Sequence, residues 1–137
     1  MKKALLAIFS VVLIAASAYL AYAGATAGAN LSGTQEVGGG GDPDGSGQAS
    51  VKFGPSDNNL CVAIYVDKIS TPTEIDICRG AAGTNGTVVA SYHTSDAGCL
   101  SVDPALGRDI KQHPENYYVN VLNADYPSGA IRGQLAH

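Results

Sequence analysis

Apolar and polar residues alternate along most of this chain, in short runs separated by turn-forming clusters. In residues 48–53, QASVKF, Ala49, Val51 and Phe53 point one way and Gln48, Ser50 and Lys52 the other. That period of two predicts a half-buried strand. Residues 60–66, LCVAIYV, are apolar on both faces, which predicts an inner strand. In residues 74–78, Ile75 and Ile77 alternate with Glu74, Asp76 and Cys78, giving one greasy face and one reactive face. Further strands are predicted over 30–37, 87–92, 99–102, 117–122 and 130–135. Between them lie GGGGDPDGSG at 38–47, GPSDNN at 54–59, GAAGTNG at 80–86 and NADYPSG at 123–129. Their Gly, Pro, Asn and Asp residues favour turns.

One segment breaks the period. Asp103 can cap a helix, and Pro104 fits its first turn, where a missing N–H costs nothing. Leu106 and Ile110 lie four apart on one face, and Pro114 stops the run, so a short helix is predicted over 104–112. Seven or eight short strands at intervals of roughly ten residues predict an all-β fold, an antiparallel sandwich or barrel rather than a parallel α/β sheet.

The amino-terminal residues follow a different rule. Lys2 and Lys3 precede an almost unbroken apolar run over 4–18, and the small-residue sites Ala21-Tyr22-Ala23 and Ala25-Thr26-Ala27 follow. This is the layout of a signal peptide over 1–23, with cleavage near Ala23 or Ala27. An uncleaved anchor is the competing reading, because the run up to Ala23 approaches the roughly 20 residues that span a bilayer. The two small-residue sites favour cleavage, after which no membrane association is expected.

A chain of 137 residues bounds the protein to one domain. Removing Lys2 and Lys3 from its eight cationic residues leaves six against twelve acidic ones, a net charge of about −6. An acidic surface without a basic stripe argues against nucleic acid or an anionic membrane as the main partner. Three cysteines in an exported chain predict one disulfide and one leftover thiol. None are spaced C-x-x-C, so neither a thioredoxin-like centre nor a zinc ribbon is indicated.

Four stretches carry a resemblance. LSGTQEV at 31–37, GSGQASV at 45–51, RGAAGTNGTVV at 79–89 and NYYVNVLNADYPSGAIRGQL at 116–135 together resemble the CHRD domain, the module named after chordin. The resemblance covers about residues 30–136. It implies a secreted or surface β-sandwich of immunoglobulin-like or superoxide-dismutase-like Greek-key type. Exported bacterial members often carry cysteines at the positions of Cys61 and Cys99, so the resemblance implies a Cys61–Cys99 disulfide, with Cys78 as the free thiol. Spacing alone does not assign connectivity, and a pair using Cys78 stays open.

The departures from the family pattern fall on the reactive face. Members typically read HIHRG where this chain has Asp76-Ile77-Cys78-Arg79-Gly80, and VNVH where it has Val119-Asn120-Val121-Leu122. An H-x-H pair on a strand sets two imidazoles on one side, about 7 Å apart, which suits a metal. Here Asp76, Cys78 and Leu122 stand in those places, and leucine cannot ligate. Asp76 and Cys78, joined by His93, are the weak metal candidates; the plainer reading is a silent face, and no metal or cofactor is expected. Cys78 can be a buried small hydrophobe, a crosslink or a nucleophile. A catalytic cysteine needs a histidine base, and His93, His113 and His137 offer no recognised spacing for one. Asp42 to Gly45 echoes part of a calcium loop but lacks the downstream bidentate glutamate. Arg132 alternates away from Ile131 and Leu135 and reads as a solvated or ion-paired charge off the core, and Tyr117, Tyr118 and Tyr126 read as packing residues.

The expected function is non-enzymatic: a structural or binding module that is secreted, periplasmic or held at the cell surface. It would be a monomer or weak homo-oligomer, with an unidentified envelope or extracellular partner. The rivals are a metal-binding or redox protein using Asp76 and Cys78, and a dimeric surface protein linked through Cys78.

Overall fold

In the computed structural model, which describes residues 27–137, the alternating runs become eight strands. They are β1 (Ala27–Ser32), β2 (Ser46–Phe53), β3 (Asn59–Asp67), β4 (Pro72–Arg79), β5 (Thr87–Tyr92), β6 (Ala97–Ser101), β7 (Tyr117–Asn123) and β8 (Ile131–Gln134). One helix, α1 (Pro104–Gln112), separates β6 from β7. The expected leader over 1–23 lies outside the described residues, as does the cut point after Ala23. A cut after Ala27 would sever the first residue of β1 from its strand.

The all-β, antiparallel expectation is met. The strands form one hydrogen-bonded sheet in the order β5-β4-β7-β8-β1-β2-β3-β6, rather than two separate sheets. The sheet curls until its edges approach. The Tyr92 ring at the end of β5 lies 3.2 Å from the place a Cβ would occupy on Gly98 of β6, and its hydroxyl donates to the Leu60 carbonyl at 2.9 Å. The result is a nearly closed, barrel-like sheet whose concave side is the core. Period two explains its lining: Val51, Val62, Ile75, Ile77, Val119 and Val121 are all at most 2% exposed.

The helix lies where expected. The Asp103 carboxylate accepts from the Ala105 N–H at 2.8 Å, and Ile110 packs into the core. Lys111 ties the helix to the β2–β3 turn through Asp57, at 2.6 Å. Cys61 and Cys99 face each other in register on β3 and β6 and form the disulfide, with Cα atoms 4.0 Å apart. This staples the edge strand β6 to the sheet.

Two expectations change. The first strand, expected over 30–37, occupies Ala27–Ser32 and is followed by a 3-10 turn over Gly33–Gln35. At Gly33 the chain doubles back so closely that a Cβ would lie 1.6 Å from the Asp42 carbonyl oxygen, a contact only glycine permits. Ala27 and Ala29, ahead of the expected strand start at residue 30, already lie in the core. β3 is an inner strand by position, but its second face is open: Tyr65 is 61% exposed. Apolar residues on both faces of a strand do not require both to be covered.

Candidate functional site

The convex side of β4, β7 and β8 carries the chemistry. Because side chains alternate, Glu74, Asp76 and Cys78 leave β4 on the side opposite Ile75 and Ile77. The register then builds rows across three strands. Asp76 pairs with Asn120, and Asn120 with Arg132; Cys78 pairs with Tyr118, and Tyr118 with Gln134. Leu122 sits opposite Glu74 on this same face, so the three positions where the family pattern has histidine do share one surface.

Two loops cover that surface. From one side, residues 33–45 fold over it and bring in Glu36; Asp42 N–H donates to the Ala130 carbonyl at 2.8 Å and pins the loop. From the other, the β4–β5 loop is drawn down by three bonds. Arg132 Nη2 donates to the Ala81 carbonyl at 3.1 Å, Gln134 Nε2 to the Gly80 carbonyl at 2.6 Å, and the Gly86 N–H to the Tyr118 hydroxyl at 3.0 Å. Arg132 is therefore not the solvated charge that its alternation suggests. It is 2% exposed and lies flat on the Tyr118 ring, its Cζ 3.4 Å from the ring centroid.

Beneath the loops, four buried polar atoms have no hydrogen-bond partner: Glu36 Oε1, Asp76 Oδ1, Asn120 Oδ1 and Arg132 Nη1. They come from Asn120, its two strand neighbours Asp76 and Arg132, and one covering loop, so they belong to one cluster. Gly129 shows how tightly it is drawn. A Cβ there would lie 2.5 Å from Glu36 Oε1 and 2.6 Å from Asn120 Oδ1, at a φ of +137° that side chains rarely adopt. Each unpaired buried group costs about 1–3 kcal/mol. A cleft of about 410 Å³ opens beside them between the two loops, with Glu36, Arg132 and Gln134 in its wall.

Burial governs the titration of this face. It pushes the Glu36 carboxyl up to about 7, against a smaller opposing pull from Arg132. It pushes Asp76 up to about 6, aided by the neighbouring Glu74 carboxyl and opposed by the nearby Ser91 hydroxyl. Glu74, nearer the rim, is lowered, first by the Ser91 hydroxyl, which donates to its Oε1 at 2.7 Å. Cys78 is buried, and its thiol is pushed up to about 11, so it stays protonated at neutral pH.

The expected site residues thus separate. Asp76 and Cys78 share the face. His93 lies at the rim, its ring 80% exposed, with Nδ1 3.5 Å from Glu74 Oε2. Among the described residues, no three His, Cys, Asp or Glu side chains gather as a metal site. The residues present do not fit an imidazole-type metal centre: Leu122 offers no lone pair, and the one nearby imidazole lies at the rim against the Glu74 carboxylate. A buried thiol three per cent exposed is also closed to a partner chain while the sheet is intact. Sequence reasoning missed Glu36, Asn120 and Arg132 as members of this site. For Asn120 and Arg132 the signal was present, since both alternate onto the same face as Asp76; for Glu36, inside a predicted strand, there was none.

A search of curated proteins returns no match. Comparison with protein-family models matches the CHRD domain over residues 27–135, nearly all of the described chain. Among the described residues, no helix is long and apolar enough to cross a membrane.

Proposed function

The chain belongs to the CHRD-domain family, and from that premise we propose that it is an exported, non-enzymatic binding module whose ligand enters the cleft beside Arg132. The observation that carries this reading is the cleft between the two covering loops, whose wall holds Glu36 and Arg132, each with a buried side-chain atom that no protein group pairs. Buried polar groups are ordinarily satisfied by protein, water or a ligand, and ligand pockets present a few such groups in fixed positions. The barrel supplies the rigid support, and the two covering loops supply the rim.

Export is supported by the leader pattern and by the Cys61–Cys99 bridge, which an oxidising compartment maintains. Secretion, the periplasm and the cell surface all meet that condition. A redox or crosslinking role for Cys78 is disfavoured by its burial and retained proton.

The test is a nitrogen-15 NMR screen of the purified protein against a library of small polar metabolites. Binders should shift the amides of residues 35–38, 82–83 and 132–134 and be recovered chemically unchanged. Shifts confined to other surfaces, no shifts at all, or turnover of the bound compound would each refute the reading.

A further inference from the structure

The other half of the sheet carries chemistry that the cleft does not use. There the register sets three side chains in one row: Lys52 of β2 pairs with Cys61 of β3, and Cys61 with Cys99 of β6. Residues directly opposite in an antiparallel ladder share a face. The lysine and the disulfide therefore stand side by side, on the face away from the buried Leu60 and Val62. From this row we propose that the Cys61–Cys99 bridge is a site of covalent modification by low-molecular-weight thiols. The folded protein takes the thiol up as a mixed disulfide on Cys99, and Cys61 leaves as the thiolate.

Topology decides which sulfur is attacked. In thiol–disulfide exchange a thiolate attacks one sulfur and expels the other, so it must approach in line with the bond that breaks. That bond joins β3 to β6 and runs across the strands. Beyond Cys99 the sheet ends, because β6 is the last strand on its side, and Cys99 is exposed. Beyond Cys61 lies β2 with Lys52, and Cys61 is partly buried. The surroundings of Cys61 also suit the departing charge. Asn59 Nδ2 donates to Cys61 Sγ at 3.9 Å, a weak bond to a neutral sulfur that strengthens once the sulfur is an anion. Lys52 sets a cation opposite the same sulfur, and a neighbouring cation favours the thiolate. The adjoining positions on this face, Ser50, Asn59, Ala63, Ala97 and Ser101, bring no carboxylate to oppose it.

The step balances with the thiol as its only co-reactant. The thiol gives its proton to water, and its sulfur bonds to Cys99 Sγ. The bond between the two Sγ atoms breaks, and its electron pair goes to Cys61 Sγ, which takes a proton from water. The incoming thiol is oxidised to the disulfide level and Cys61 is reduced. Cys78 is buried and takes no part. The ladder from Asn59–Ser101 to Ala63–Ala97 still holds β6 to β3, so the exchange needs no unfolding.

The test incubates the oxidised, folded protein with 2-mercaptoethanol at pH 8 and quenches early samples with acid. Free thiols are capped with N-ethylmaleimide, and the peptides are read by mass spectrometry. The 2-mercaptoethanol adduct should sit on Cys99 and the maleimide on Cys61, at least about tenfold in excess of the reverse pattern, while the NMR spectrum stays that of the folded protein. Lys52→Gln should slow the appearance of the adduct about threefold or more, and Lys52→Arg should keep it near wild type. A bridge that stays intact until denaturant is added would overturn the proposal. So would an adduct shared evenly or placed mainly on Cys61, or both cysteines freed with no adduct at any early time. An unchanged rate in Lys52→Gln would overturn the role given to the lysine.

Discussion

The Arg132 guanidinium rests on the ring of Tyr118 at 3.4 Å, on the convex side of the sheet and almost wholly out of water. A cation in that position is stabilised by the ring face and by one carbonyl, and loses most of its value if either goes. Tyr118 also accepts the Gly86 N–H through its hydroxyl. The two roles can be separated. Tyr118→Phe keeps the ring and should cost about 1 kcal/mol, one hydrogen bond. Tyr118→Leu removes the ring from under a desolvated cation and should cost about 3 kcal/mol. Urea unfolding of the two variants checks the difference; equal costs would mean that the stacking contributes nothing.

Buried acids give the protein a definite pH dependence. Asp76 is raised from an ordinary 3.8 to about 6, and Glu36 from 4.5 to about 7. The folded state therefore binds these protons more tightly than the unfolded state does. Their contribution favours folding at low pH and is lost as pH rises, between about 4 and 6 for Asp76 and between about 4.5 and 7 for Glu36. Asp76→Asn should raise the Tm at pH 8, and the gain should vanish toward pH 4. Thermal melts of wild type and variant across that range measure it. A gain that grows as the pH falls would contradict the assigned burial.

The disulfide closes a loop of 38 residues between strands β3 and β6. In the chain-entropy account, that stabilises the fold by about 4 kcal/mol. Cys61→Ser with Cys99→Ser, or a reductant, should lower the urea midpoint accordingly, and hydrogen exchange should rise first along the edge strand β6. Protection of β6 that is unchanged without the bridge would show that pairing with β3 alone holds the edge.

Cys78 is expected to be inert in the native protein. Its burial and its thiol, pushed up to about 11, predict no labelling by a maleimide at pH 7 until denaturant is added, and a monomer on non-reducing electrophoresis. Rapid labelling of the folded protein would mean that the β4–β5 loop opens readily.

Gly129 offers a separate test of the cluster. An alanine there would meet both the Glu36 carboxylate and the Asn120 side-chain oxygen, at a φ of +137°. Gly129→Ala should destabilise the protein by about 1–3 kcal/mol and shift the amides of the Glu36 loop as well as those near the substitution. Shifts confined to residues 128–130 would separate that loop from the cluster.

The sequence by itself determined what depends on neighbours along the chain. Period two in 48–53 and 74–78 placed β2 and β4 and their inward residues, because a strand presents every second side chain to the same face. Asp103, Pro104 and Pro114 bounded the helix, because caps and proline act within a single turn. The family resemblance implied the Cys61–Cys99 pair, which the register of β3 and β6 then joins. Tertiary structure alone decided what depends on loops meeting strands far away in sequence. Alternation correctly turned Arg132 off the core, but it could not foretell that the loop carrying Ala81 would close over it. Nothing local distinguished Glu36 from a strand residue until the chain reversed at Gly33 and laid it beside Asn120. The backbone period sets which way a side chain points; whether water or protein waits there is set by long-range packing.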